Sequence, residues 1–200
     1  MQIAILHLGG KDLFDSGDEY LARFSERHGF YTLLKKQGFR SVDVIQRAGF
    51  NDTQIGDTVT YHFIKDDLPA QLRWWQEPES TFEFLGSRLF DILQVDGFDL
   101  PLHFRWIRRA VGKATVLTGV HTGEEMWPSR NLWLQQFGLR AVDGFIFEEL
   151  KDAYPWQKAS VILRRQPVFE CTGCRRHEPA AVTKMNQIYR TLSVRNLTNA

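Results

Sequence analysis

Short apolar runs alternate with stretches of helical spacing along most of the chain. Residues 2–8 hold the run IAILHL, stopped by Gly9-Gly10. They read as a fully buried strand with a glycine turn at its C-terminal end. Residues 11–17 are polar and loop-like. From 18 to 36, Leu21, Phe24, His28, Tyr31 and Leu34 recur at spacings of three and four, which predicts a helix stopped by Gly38. Further strands are predicted over 41–46 (SVDVIQ), 58–64 (TVTYHFI), 91–95, 114–118 and 143–147. One or two helical pieces rich in Trp and Phe fall within 68–89, helices over 101–111 and 131–142, and a helical turn after 147. Two short apolar pieces follow at 160–163 and 167–170. Met185, Ile188, Tyr189 and Leu192 share a face in a helix over 183–192, and the rest of 171–200 reads as a divergent linker or tail. Strands that are apolar throughout and alternate with helices specify an α/β fold. The expectation is a single Rossmann-like domain over 1–170, a mostly parallel sheet with helices on both faces, and an irregular or helical C-terminal tail.

Composition narrows the function classes. The 200 residues are 43% hydrophobic and 13% aromatic, ample for a packed core. Net charge is +1, so no global field draws in nucleic acid or a membrane surface, and a nucleic-acid partner is not expected. The first residues show no positive leader, and no run approaches the roughly 20 apolar residues of a membrane span. The Asn-x-Thr sequons at Asn51 and Asn196 read as chance. The only cysteines, Cys171 and Cys174, form no disulfide framework and fit a reducing, cytoplasmic setting. With His177 they resemble half a zinc site, but a structural zinc takes four ligands, so no metal is expected. A redox pair belongs near a helix start in a thioredoxin-like unit, a plan this chain does not follow.

In an open parallel sheet, ligands bind beyond the C-terminal ends of the strands. Three loops of unusual composition are expected on that rim: Gly9-Gly10-Lys11, Asp96-Gly97-Phe98-Asp99 and His121-Thr122-Gly123-Glu124-Glu125. The glycine pair lets a ligand approach the backbone and offers N–H groups to an anion, though it lacks the third glycine of a dinucleotide fingerprint; the plainer reading is a turn. His121 follows an apolar strand, where an imidazole meets a hydroxyl or a developing charge, or simply ties the loop to a carbonyl. Glu124 and Glu125 read as solvated loop charge or as partners for a sugar hydroxyl. Pro128 and Ser129 end the loop, Ser129 as a helix cap. The basic, aromatic helix LHFRWIRR at 102–109 suits an anionic or lipid-linked acceptor and a peripheral membrane contact; packed on one side and solvated on the other, it needs neither.

The blocks IAILHLGG, RHGFYTLLKKQGFRSVDVIQRAG, DILQVDGFDLPLHFRWIRRAVGKA, HTGEEMWPSRNLWLQQFGLRAVDGFIF and QPVFE, in this order, resemble the N-terminal half of family 4 glycosyltransferases over about residues 1–170. The resemblance implies the acceptor-binding domain of a two-Rossmann-domain enzyme. Gly9 and Gly10 would lie at its cleft, and His121 would face the transferred sugar as the catalytic residue. The substrate-binding rim is then Gly9, Gly10, Lys11, Asp96, Phe98, Thr122, Gly123 and Glu124. The implied reaction moves a sugar from a nucleotide-diphosphate donor to the hydroxyl of a glycan, lipid-linked or small-molecule acceptor, with retention. It uses no cofactor and no metal, because protein donors stabilise the leaving diphosphate. The donor-binding second domain does not follow in this sequence, so the chain is expected to be a truncated or frame-shifted product, or one part of a split enzyme. The alternative from another class is a non-catalytic α/β binding or regulatory module. A flavodoxin-like nucleotide-binding domain lacks support, since no acidic cluster or phosphate loop stands out.

Overall fold

The computed structural model describes residues 1–56, 58–121, 123, 132–174 and 178–199. Among these residues eight strands form one sheet: β1 (Gln2–His7), β2 (Ser41–Ala48), β3 (Asp52–Ile55), β4 (Thr60–Lys65), β5 (Ile92–Asp96), β6 (Val116–Val120), β7 (Gly144–Phe147) and β8 (Val168–Glu170). Their spatial order is β3-β4-β2-β1-β5-β6-β7-β8. Every pairing is parallel except that of β3, which runs antiparallel to β4 at the edge. The helices are α1 (Gly17–Arg23), α2 (Ser25–Lys36), α3 (Glu79–Gly86), α4 (His103–Val111), α5 (Leu132–Leu139), α6 (Leu150–Lys158) and α7 (Ala181–Asn199).

The sheet divides two cores. Alternate residues of β1 face opposite sides, because side chains along a strand point up and down in turn. Ile3 and Ile5 join Tyr31 and Leu34 of α2 and Met185 and Ile188 of α7 on one face. Ala4 and Leu6 join Leu85 of α3, Ile107 of α4, Leu139 of α5 and Trp156 of α6 on the other. This is the layered α/β architecture that the apolar strands predict.

Several elements depart from the sequence reading. The helix expected over 18–36 breaks at Phe24. Its first part starts at a capping arrangement, with Ser16 Oγ accepting from Glu19 N at 3.2 Å and Glu19 accepting from Asp15 N at 2.8 Å. Of residues 68–89 only α3 is helical, and Pro69 and Pro78 flank an irregular run that carries Trp74 and Trp75. Strand β6 lies two residues beyond 114–118, in register with β5 from Ile92↔Val116 to Asp96↔Val120. Of the two short apolar pieces, 160–163 forms a turn, with Ser160 at φ 56 and Val161 and Ile162 buried, and the other holds β8. The helical turn after 147 is a nine-residue helix with Pro155 inside it. Residues 181–199 form the longest helix among the described residues, and Val182, Met185, Ile188, Tyr189 and Leu192 are buried against the sheet. Tyr189 donates to Gln94 of β5, and the absence of a side chain on Gly144 leaves room for Leu192.

Candidate functional site

Strand β1 connects to its neighbour β2 on one side, and the chain reaches β5 on the other side only later. The order of connections reverses between β1 and β5, and at that point a crevice opens beyond the strand ends. A cleft of about 420 Å³ lies there, lined among others by His7, Gly9, Gly10, Arg27, Asp96 and Cys174. A second hollow of about 300 Å³ adjoins it and shares Gly9, Asp96, Gly97 and Asp99. Gly10 and Gly97 sit at φ 78 and φ 89, a backbone conformation that disfavours a side chain.

Two polar systems shape the rim. Arg47, fully buried on β2, grips Asp66 with both ends of its fork, Nε to Oδ2 at 2.5 Å and Nη2 to Oδ1 at 2.8 Å. Its remaining donors reach Leu8 O at 2.8 Å and Pro69 O at 3.1 Å, tying the loop after β1 to the loop after β4. Lys11 joins this system: its Nζ donates to Leu68 O at 2.7 Å and to the carbonyl of Asp66. Burial alone would raise the Asp66 pKa, but the Arg47 fork and charge, the Leu68 amide and Lys11 outweigh it and hold it below the usual value. Gln46 Nε2 donates to Gly9 O at 2.7 Å and steadies the glycine turn.

The second system lines the cleft floor. His7 Nδ1 lies 3.3 Å from Asp96 Oδ2, and its Nε2 lies 3.0 Å from Tyr31 Oη. Burial, and then the charge of Arg27, lower the His7 pKa to about 3. The ring is therefore neutral. A carboxylate only accepts, so Nδ1–H donates to Asp96 and Tyr31 O–H donates to Nε2. Gln94 Nε2 donates to Asp96 Oδ1 at 2.7 Å. The cleft thus combines glycine-turn backbone, the Arg27 guanidinium and the Asp96 carboxylate, a set that suits a hydroxylated ligand carrying an anionic group.

The predicted rim residues take different places. Gly9, Gly10 and Asp96 come together on the cleft. Lys11 sits beside it with its ammonium engaged by the loop after β4. The Phe98 side chain turns inward, edge-on to Trp156 at 5.3 Å and Phe145 at 5.5 Å, and supports its loop from beneath. Gly119 makes room for it, since a Cβ there would lie 2.7 Å from the Phe98 ring. His121 caps the same rim, two strands from β1. Its N–H donates to Ile146 O at 2.9 Å, and its ring stacks on Phe147 at 5.0 Å between centroids. Val120 lines the cleft beside it. Gly123 adopts φ 77. Thr122 and Glu124 lie outside the described residues, as do Glu125, Pro128, Ser129 and His177. Among the described residues no group of three or more His, Cys, Asp or Glu is placed to hold a metal ion.

Arg27, Gln46 and His7 did not stand out in the sequence, and Cys174 stood out only as half of a zinc-like pair. His7 left one signal, a titratable residue closing an apolar strand. Arg27 left none, because a basic residue on a solvated helix face is ordinary.

Along α4, Arg108 pairs with Asp143 and donates to Thr115 O at 2.6 Å, a structural role. Arg105 lies over the Phe137 ring at 3.8 Å, and Arg105, Arg109 and Arg140 border a shallow groove beside Phe137. No helix of the described residues is long and apolar enough to cross a membrane.

No protein-family model matches the sequence, and no curated protein matches it. Among solved structures, the chain is similar to a sucrose-phosphate synthase from Thermosynechococcus elongatus. The two share 15% identity with a TM-score of 0.55, over 96% of this chain and 99% of the matched one. The chain therefore shares the fold of that structure along nearly its whole length.

Proposed function

We propose that this domain binds the acceptor for a retaining, metal-independent glycosyltransferase of family 4 type. The observation that carries the reading is the cleft at the β1/β5 crevice, built on a fold shared along nearly its whole length with a sucrose-phosphate synthase. In this reading the acceptor lies over Gly9 and Gly10, with Arg27 facing its anionic group and Asp96 accepting from a hydroxyl. The nucleotide-diphosphate sugar is held by a second domain, joined to this one or separate, that closes the open side. His121 meets the transferred sugar from the end of β6, and the acceptor hydroxyl attacks the anomeric carbon on the face the diphosphate leaves. A lipid-linked acceptor is favoured by the groove bordered by Arg105, Arg109 and Arg140, whose charges suit an anionic bilayer surface. Sedimentation with anionic vesicles, lost in an Arg105→Glu/Arg109→Glu variant, supports that part; equal binding to neutral vesicles counts against it.

Gly9 offers a direct test. A Cβ built there meets nothing within 4 Å, and its backbone lies outside the left-handed region, so Gly9→Leu fills the cleft without straining the fold. A panel of sugars and sugar phosphates is titrated while amide shifts are followed by NMR. Shifts centred on Gly9, Gly10 and Gly97 in the native chain, absent in a stably folded Gly9→Leu variant, are expected. Binding that survives Gly9→Leu places the ligand elsewhere. With a donor-binding partner domain supplied, His121→Ala is expected to lower turnover by two orders of magnitude or more, in the range of about 10²–10³ for losing one transition-state donor. Binding without any transfer would favour the non-catalytic module.

A further inference from the structure

The two cysteines gain a role from the fold that their spacing alone does not give. We propose that Cys171 and Cys174 form an oxidisable dithiol on the cleft wall, a modification site that a hydroperoxide converts into an intramolecular disulfide. Four observations support it, and none depends on what the cleft binds. The chain leaves β8 in a tight turn, closed by Cys174 N donating to Cys171 O at 3.1 Å, with Gly173 at φ 82 in its third position. Such a turn holds its first and fourth Cα atoms within about 7 Å, and a disulfide spans about 4.4–6.8 Å.

The turn is also fixed from outside. Cys171 N donates to Phe147 O at 2.8 Å, and Gly173 N donates to Glu148 Oε1 at 2.7 Å. Oxidation therefore needs little backbone movement. Third, both thiols are free, and they meet each other through a hydrogen bond from Cys174 to Cys171. That bond lowers the Cys171 pKa against the opposing effect of burial, with Glu148 working against it and Lys184 with it. Fourth, Cys174 lines the cleft, which brings an oxidant of nearly water size to the edge of the pair, one turn away from the buried Cys171.

The chemistry balances with hydrogen peroxide as oxidant. The Cys171 thiolate attacks one peroxide oxygen and the O–O bond breaks. The leaving hydroxide takes up the proton Cys171 gave up, which yields water and a sulfenic acid at Cys171. The Cys174 sulfur then attacks the Cys171 sulfur, the S–O bond breaks, and the departing hydroxide takes the Cys174 proton. One peroxide becomes two waters, and two thiols become one disulfide.

The test uses the whole native chain, freshly reduced, treated with one equivalent of hydrogen peroxide and then denatured and alkylated with N-ethylmaleimide. The peptide spanning residues 171–174 is read by mass, which keeps the signal apart from oxidation at methionine. The expected peptide has lost two hydrogens and carries no maleimide. In Cys174→Ser, with native folding checked by circular dichroism, dimedone is expected to trap a sulfenic acid at Cys171. In Cys171→Ser, reaction at Cys174 is expected to slow at least tenfold. Two maleimides on the wild-type peptide, a bridge between two chains on a non-reducing gel, or direct passage to sulfinic acid would each overturn the proposal.

Discussion

Arg47 has no exposed surface, and its charge is compensated only inside the fold, by the fork onto Asp66 and by carbonyls of two loops. A buried ion pair of this kind contributes little net stability when whole, but removing one partner strands the other charge. Asp66→Ala is therefore expected to destabilise the protein by about 3–5 kcal/mol, read as a lower urea midpoint at unchanged slope. An exposed carboxylate such as Asp67 gives a near-neutral comparison, within about 0.5 kcal/mol for Asp67→Ala. The sequence concealed this pair. Arg47 follows the apolar run of β2 and reads as its polar end, whereas the fold buries every residue of that strand from Val42 to Ala48. The candidate site was legible where chemistry coincides with a strand end, as at Gly9, Gly10 and Asp96. It was illegible where a side chain arrives from a helix distant in sequence, as Arg27 does. Composition also could not say which way Phe98 and Lys11 point; an aromatic ring on a rim loop faces a ligand or the core equally well by sequence.

At the scale of elements, the strands buried on both faces announced themselves because their runs are mostly apolar, with the few buried polar residues among them paired. Strand β3 did not, since its four residues, DTQI, lie on the edge and are largely exposed, so no apolar pattern marks them. The run around Trp74 and Trp75 misled for the opposite reason: apolar content predicted helix where prolines and loop packing decide the backbone. Helix packing supplies a pair of tests of opposite sign. A Cβ on Gly138 of α5 would lie 2.0 Å from Pro101 O, a backbone atom that cannot yield cheaply. Gly138→Ala is expected to cost about 3 kcal/mol by forcing α5 off the start of α4. A Cβ on Gly29 of α2 meets nothing within 4 Å. Gly29→Ala is expected to stabilise by about 0.5–1 kcal/mol, because an exposed helix interior favours Ala over Gly. Thermal unfolding of the two variants beside the wild type checks both, and equal effects would refute the packing described for α5.

For the whole molecule, pH connects these local features. Burial lowers the pKa of His7 to about 3 and that of His103 to about 4, against 6.5 for an ordinary histidine. The His103 Nε2 lies 2.8 Å from Gln76 O, and as N–H it donates there, while Nδ1 is buried without a partner, so protonation would place an unpaired N–H and a charge in the core. Both groups bind a proton in the unfolded chain before they do so in the folded one. Their contribution to stability is thus complete above pH 6.5 and declines as pH falls from 6.5 toward 4 for His103 and toward 3 for His7. The slope approaches about 1.4 kcal/mol per pH unit for each histidine well below pH 6.5. Asp66 acts later: its lowered pKa keeps its contribution present above the ordinary carboxylate value of 3.8 and removes it only as pH drops through the folded value. Denaturant midpoints are expected to be flat above pH 7 and to fall steadily from pH 6 to pH 4. His103→Gln keeps a donor for Gln76 O and removes the titration, so its decline over that range is expected to be about half as steep. A slope as steep as that of the wild type would mean that His103 is protonated inside the fold, and the buried contact between α4 and the loop before α3 would then have to be drawn differently.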